Sequence, residues 1–144
     1  MTKDIGLALS CIDYRLFDAT IELLKHDCCV SKFDHTILAG ASLGYNQSDY
    51  PNWSSTLLDH IDLAIELHKI KKIVVIDHED CGAYKLFYPC LKCHSSHERC
   101  LHIKNIKKFI KNMKKIYPQL HYSGYLLALD GSFEKVYQDK MNHC

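Results

Sequence analysis

Two short stretches carry residue types that can do chemistry. Residues 76–84 read I-D-H-E-D-C-G-A-Y, so an apolar run (Ile73 to Ile76) gives way at once to acids, a histidine, a cysteine and a glycine. Residues 11–15 read C-I-D-Y-R, again directly after an apolar run. Cys11, His78 and Cys81 offer two thiolates and one imidazole, a good donor set for zinc, tetrahedral once a fourth position is filled. Two thiolates neutralise Zn²⁺, which leaves that position for hydroxide or for one carboxylate. Asp13 is two residues from Cys11 and can reach the metal or take a proton beside it. Arg15, on the same side of an extended chain, can hold that carboxylate away through a bidentate pair. Three protein ligands with an open fourth position are the pattern of catalytic zinc. Each motif alone has a plainer reading: a helix start with a buried thiol, or a core cysteine. Two clusters at two strand ends, with Asp and Arg attached, favour the metal.

The surrounding pattern says how these residues meet. Residues 5–12 form a nearly continuous apolar run, as expected of a strand buried on both faces. Helical spacing follows at Leu16, Ala19, Ile21, Leu23 and Leu24, fading over residues 26–29. A second strand is expected at 36–39, ended by Gly40 and a small-residue turn, with a polar loop over 45–52. A helix is expected from Ser54 or Ser55 to His68, capped by serine. A third strand covers 73–77, an amphipathic helix 98–117 stopped by Pro118, and a fourth strand 122–129. This alternation predicts an α/β fold with right-handed crossovers and a parallel sheet covered on both faces. If strand 1 lies between strands 2 and 3, both clusters fall at the switch point outside the strands' carboxyl ends, where such sheets bind ligands.

With 144 residues, 47% of them hydrophobic, the chain is expected to form one domain over residues 1–144. A net charge of +1 argues neither for a nucleic-acid partner nor for an acidic tail. No signal-peptide core and no run of 18 apolar residues appears, so the expectation is a soluble, cytoplasmic protein without a membrane partner. In a reducing compartment the eight cysteines (11, 28, 29, 81, 90, 93, 100 and 144) are better taken as metal ligands or buried thiols than as disulfides.

C-I-D-Y-R resembles the Cys-x-Asp-x-Arg motif of the beta-class carbonic anhydrases, and H-E-D-C-G-A resembles their His-x-x-Cys-Gly. Residues 57–83, a helix, a strand and then His-x-x-Cys-Gly-Ala, are similar to the family's central segment, and the likeness covers residues 5–131. The resemblance implies a sheet of about four strands in the order 2-1-3-4 and zinc on Cys11, His78 and Cys81. It implies an Asp13–Arg15 dyad and a homodimer or higher homo-oligomer that completes the site. The implied activity is reversible hydration of CO2 to bicarbonate by a zinc-bound hydroxide that Asp13 orients and Arg15 supports. Hydrolysis of COS or CS2, or a catalytically silent zinc-binding module, are the alternatives on the same fold. This chain has Tyr14 where the family commonly has Ser, adds Glu79 and Asp80 beside the ligands, and carries L-A-G-A-S at 38–42 in place of an Arg-Asn-Ala-Gly-Asn type of turn. Gln47 is a candidate for the family's substrate-side glutamine.

Residues 90–102, C-L-K-C-H-S-S-H-E-R-C-L-H, could hold a second metal on Cys90, Cys93, His94, His97 and Cys100. An exposed loop before a helix is the favoured reading. Cys90-x-x-Cys93-His94 also matches the c-type haem attachment pattern, whose chemistry belongs outside the cytoplasm. Lysines 104, 107, 108, 111, 114 and 115 lie opposite the apolar stripe of their helix and read as a solvated face. Tyr84 and Tyr88 read as packing or pocket-wall residues.

Overall fold

The computed structural model describes residues 4–27 and 30–140. Cys28, Cys29 and Cys144, among the cysteines weighed above, lie outside the described residues. Five strands form one sheet in the order β2-β1-β3-β4-β5: β1 (Asp4–Ser10), β2 (Val30–Ile37), β3 (Lys72–His78), β4 (His121–Leu127) and β5 (Phe133–Gln138). The first four run parallel to one another, in the expected 2-1-3-4 order, and β5, a fifth strand, joins β4 antiparallel. The helices are α1 (Phe17–Lys25), α2 (Ser42–Asn46), α3 (Pro51–His68), α4 (Gly82–Phe87) and α5 (Glu98–Ile116).

Side chains alternate across the two inner strands. Leu7, Leu9, Ile73 and Val75 pack with Leu57 and Ile61 of α3 and with Ile106, Phe109 and Met113 of α5. Ala8, Val74 and Ile76 face the other way, against Leu16 and against Leu23 and Leu24 of α1. With helices on both faces, β3 is buried along its whole length, which explains its unbroken apolar run. Even its Lys72 is buried, held by an ion pair to Asp27 at 2.8 Å. α5 lies close on β4 because Gly124 has no side chain. A Cβ there would stand 2.4 Å from Ile106 Cγ2.

The edges depart from expectation. β2 begins six residues before 36, and its V-S-K-F-D-H-T-I is mostly exposed or half-buried. β5 reads F-E-K-V-Y-Q and is exposed over its first three residues. Edge strands bury too little to need an apolar run. α3 starts at Pro51 rather than at a serine, since proline's fixed φ suits the first helical position. Residues 42–46, read as turn and loop, form one short helical turn.

Candidate metal centre

β1 and β3 are adjacent, with Leu9 paired to Val75, so the residues just past both strand ends meet. Cys11 and Cys81 place their sulfurs 3.9 Å apart. One ligand atom each from Cys11, His78 and Cys81 lies within 4.8 Å of the others, the only such group of three among the described residues. The neighbouring turn supports this: the amide of Gly40 donates to Cys11 Sγ at 3.3 Å. Gly40 sits at φ +80°, a conformation that aims its amide and that a side chain would strain.

His78 is oriented by its own backbone. Nδ1 donates to the carbonyl of Glu79 at 2.7 Å, leaving Nε2 as the free ring nitrogen. That Nε2 is buried without a hydrogen-bond partner. Buried polar atoms are nearly always satisfied. A cation seated among the two sulfurs would satisfy this one.

The thiols point to the same requirement. A hydrogen bond from Cys81, with help from His78 and the Gly40 amide, outweighs burial and pulls the Cys11 thiol well below the usual range. The Cys81 thiol is driven up, because it donates to the Cys11 thiolate and is itself buried. Without a cation, two sulfurs this close hold one proton between them. Two thiolates and an imidazole suit zinc in charge and in softness.

Asp13 stands beside the group, Oδ2 3.7 Å from His78 Nε2. Arg15 grips it with Nε at 3.1 Å from Oδ1 and Nη2 at 2.7 Å from Oδ2. The bidentate guanidinium, more than any other contact, brings the Asp13 carboxyl down to about 2. Arg15 also reaches across to the other cluster, donating from Nη1 to Asp80 Oδ2 at 3.0 Å and from Nη2 to the Asp80 carbonyl at 2.9 Å. Lys85 pairs with the second oxygen of the Asp80 carboxylate. A cavity of about 510 Å³ opens here, lined by Cys11, Ile12, Asp13, Arg15 and Lys85 among others.

Behind the Cys11–His78–Cys81 group lies a buried polar core that the sequence did not reveal. Asp77 accepts from Ser42 N at 3.1 Å and Ser42 Oγ at 2.9 Å, from Tyr84 at 2.5 Å and from His102 Nδ1 at 2.8 Å. Glu98 accepts from the amides of Asp80 at 2.8 Å and Cys81 at 3.0 Å. Burial alone would raise its carboxyl. The neighbouring His102 and the two amides outweigh that and hold it below the usual range. Glu98 opens α5, and a glutamate in a first helical turn reads as favourable to the helix dipole rather than as a partner for a distant loop.

Other expectations resolve plainly. Tyr84 is fully buried against Asp77, and Tyr88 accepts a hydrogen bond from Asn105. Gln47 is not among the residues lining the cavity: its amide donates to Gly44 and Tyr50 carbonyls and its oxygen accepts from Tyr50 N, so it ties the loop before α3. Cys90, Cys93 and Cys100 are exposed and do not gather with the nearby histidines into a ligand group. No helix among the described residues is long and apolar enough to cross a membrane.

A parallel α/β sheet with two cysteines and a histidine at its switch point defines a narrow class of protein. A family model described as "Putative carbonic anhydrase" matches residues 1–137, and the chain belongs to that family. It is 37% identical over 133 residues to an uncharacterized protein of Rickettsia conorii, covering 92% of this chain and 72% of that one. Among solved structures its fold is similar to a carbonic anhydrase from Glaciozyma antarctica, with a TM-score of 0.58 and 22% identity over 91% of this chain and 81% of that one. It is likewise similar to tetrameric beta-carbonic anhydrases of Sordaria macrospora, with a TM-score of 0.55 and 16% identity over 92% and 80% of the two chains.

Proposed function

We propose that the chain is a zinc-dependent carbonic anhydrase that interconverts CO2 and bicarbonate, with the metal held by Cys11, His78 and Cys81. The observation that carries this is the buried, unpartnered Nε2 of His78 beside two sulfurs, next to a cavity and a paired Asp–Arg. Zinc, when bound, acts as a Lewis acid that brings the pKa of water to about 7, giving hydroxide at neutral pH. The chain's own residues do the rest. Asp13, ionised through its pair with Arg15, accepts the hydrogen of the attacking oxygen and so fixes its orientation. Arg15 keeps that carboxylate engaged through both of its oxygens. Ile12, Ala39 and Leu86 give the cavity the apolar wall that suits a small nonpolar gas.

The working form is a homo-oligomer. Tyr14 is 87% exposed, Leu86 75% and Ile12 66%, apolar residues lining the cavity that a second copy would cover. The tetrameric assembly of the Sordaria macrospora enzymes supports this reading. The test is stopped-flow CO2 hydration on protein of measured zinc content. Hydration that scales with zinc loading is the expected result, and a fully loaded protein no faster than buffer overturns the assignment.

A further inference from the structure

We propose that Glu98 is a positioning residue that acts through one peptide group to set Arg15, and through Arg15 sets Asp13. The inference rests on the reading of Asp13 and Arg15 given above, and its geometry is independent of the metal.

The Cys81 amide and the Asp80 carbonyl belong to the same trans peptide, so they point in opposite directions. Glu98 Oε1 accepts from Cys81 N at 3.0 Å on the inner side. The carbonyl of that peptide is therefore aimed outward, where Arg15 Nη2 meets it at 2.9 Å. The same Nη2 holds Asp13 Oδ2 at 2.7 Å. Glu98 Oε2 takes the adjacent amide, Asp80 N, at 2.8 Å. Asp80 needs this second hold because it sits at φ +56°, a conformation that side chains rarely adopt. Two successive amides converging on one anion form a nest, filled here by a carboxylate 17 and 18 residues downstream.

Glu98 is itself braced. His102 follows it by one helical turn, with Nε2 3.8 Å from Glu98 Oε1 and Nδ1 2.8 Å from Asp77 Oδ2. Its ring lies against Tyr84, centroids 3.8 Å apart, and both residues are fully buried. One face of α5 thus holds the segment 77–81 at both ends. Nothing in the hydration chemistry uses Glu98 or His102 directly. Their contacts make sense as a strut that keeps one peptide from flipping.

The first test needs no metal: amide hydrogen exchange at Asp80 and Cys81, measured by NMR in the parent and in Glu98→Gln. The variant keeps one acceptor and must leave one amide unpaired. Exchange at one or both amides about 10- to 100-fold faster, with the strand amides unchanged, is expected from the loss of one charged hydrogen bond. Unchanged exchange at both overturns the clamp. The second test compares the parent, Glu98→Gln, Arg15→Ala and the double variant after cobalt substitution. If Glu98 acts through Arg15, Glu98→Gln retains the metal, shifts the visible spectrum toward that of Arg15→Ala, and adds nothing in the double variant. A parental spectrum for Glu98→Gln, or effects that add in full, overturns the relay. Should Glu98→Gln unfold, Glu98→Asp keeps the charge on a shorter stem, and parental exchange at both amides in that variant overturns the clamp equally. A parent that binds neither zinc nor cobalt defeats the metal reading alone, because the exchange result still decides the clamp.

Discussion

Two sets of cysteines and histidines in this chain differ in how they are arranged, and only the set dispersed in sequence brings its ligand atoms together. The segment 90–100 has three cysteines and two histidines within eleven residues, a denser supply of ligands than anywhere else. Cys11, His78 and Cys81 are spread over 71 positions, yet their ligand atoms fall within 4.8 Å. The difference lies in what each region is attached to. The dense segment runs through two short 3₁₀ turns, Pro89–Lys92 and Ser95–His97, and its cysteines face solvent. The dispersed residues sit at the ends of two paired strands whose register is fixed by core packing on both faces. A slip of one residue would turn every strand side chain to the opposite face. Ligands on such a frame lose little freedom when a cation arrives, whereas ligands on a surface turn must be ordered at the moment of binding.

The comparison breaks most visibly at a ligand. Cys81→Ser should lose most of the bound zinc and reduce CO2 hydration to background. Metal analysis after dialysis, with hydration rates alongside, checks this, and full zinc retention would sink the ligand assignment. Arg15→Ala should have the next largest effect, a loss of about 100-fold or more in hydration with zinc still bound. The alanine frees Asp13 to swing toward the metal, and the same closing in the native chain would make activity rise with pH at constant zinc content. The sign follows from Asp13: with its carboxyl near 2, it stays ionised across the working range, so protonation of Asp13 cannot be the cause of an acid loss near neutrality. Parental hydration by Arg15→Ala would leave Arg15 as a packing residue of the turn.

The better-supported region was also the more legible one. An apolar strand that ends abruptly in His, Cys and Asp is visible because buried strands have few other reasons to stop in such residues. Their meeting depended on strand 1 lying beside strand 3, an order that the family resemblance implied and the residues alone left conditional, and the sheet has β1 next to β3. β2 and β5 were legible only in part or not at all, since edge strands such as V-S-K-F-D-H-T-I carry little apolar signal. Glu98 and His102 were out of reach for a different reason. Their partners are two backbone amides and one carboxylate on another element, and no local spacing encodes a contact of that kind. Gln47 had the right chemistry but is spent on tying its own loop.

The buried core behind the ligands sharpens the comparison further, because it stiffens one region and has no counterpart in the other. His102→Ala would remove one of the four hydrogen bonds that the buried Asp77 carboxylate accepts, leaving those from Ser42 and Tyr84, and should cost about 2 kcal/mol of stability. Burial lowers the His102 pKa, but bonding to Asp77 and the nearby Glu98 raises it more, so the net shift is upward. A histidine raised on folding contributes stability that is complete below its unfolded value of about 6.5 and fades as pH rises through its folded value. Chemical denaturation of the parent should therefore show that contribution shrinking as pH rises above about 6.5. A variant such as His102→Gln should flatten that slope, and an unchanged slope would assign the pH dependence to other groups.

The smallest expected effect bears on the central claim most directly. In a chain with Cys90, Cys93 and Cys100 all replaced by Ser, zinc should remain at about one per chain, as in the parent, with the hydration rate unchanged within about twofold. A parent holding two zinc ions of which the variant keeps one, or a variant that holds none, would contradict the claim that the strand-end trio is the metal centre and the dense segment is not.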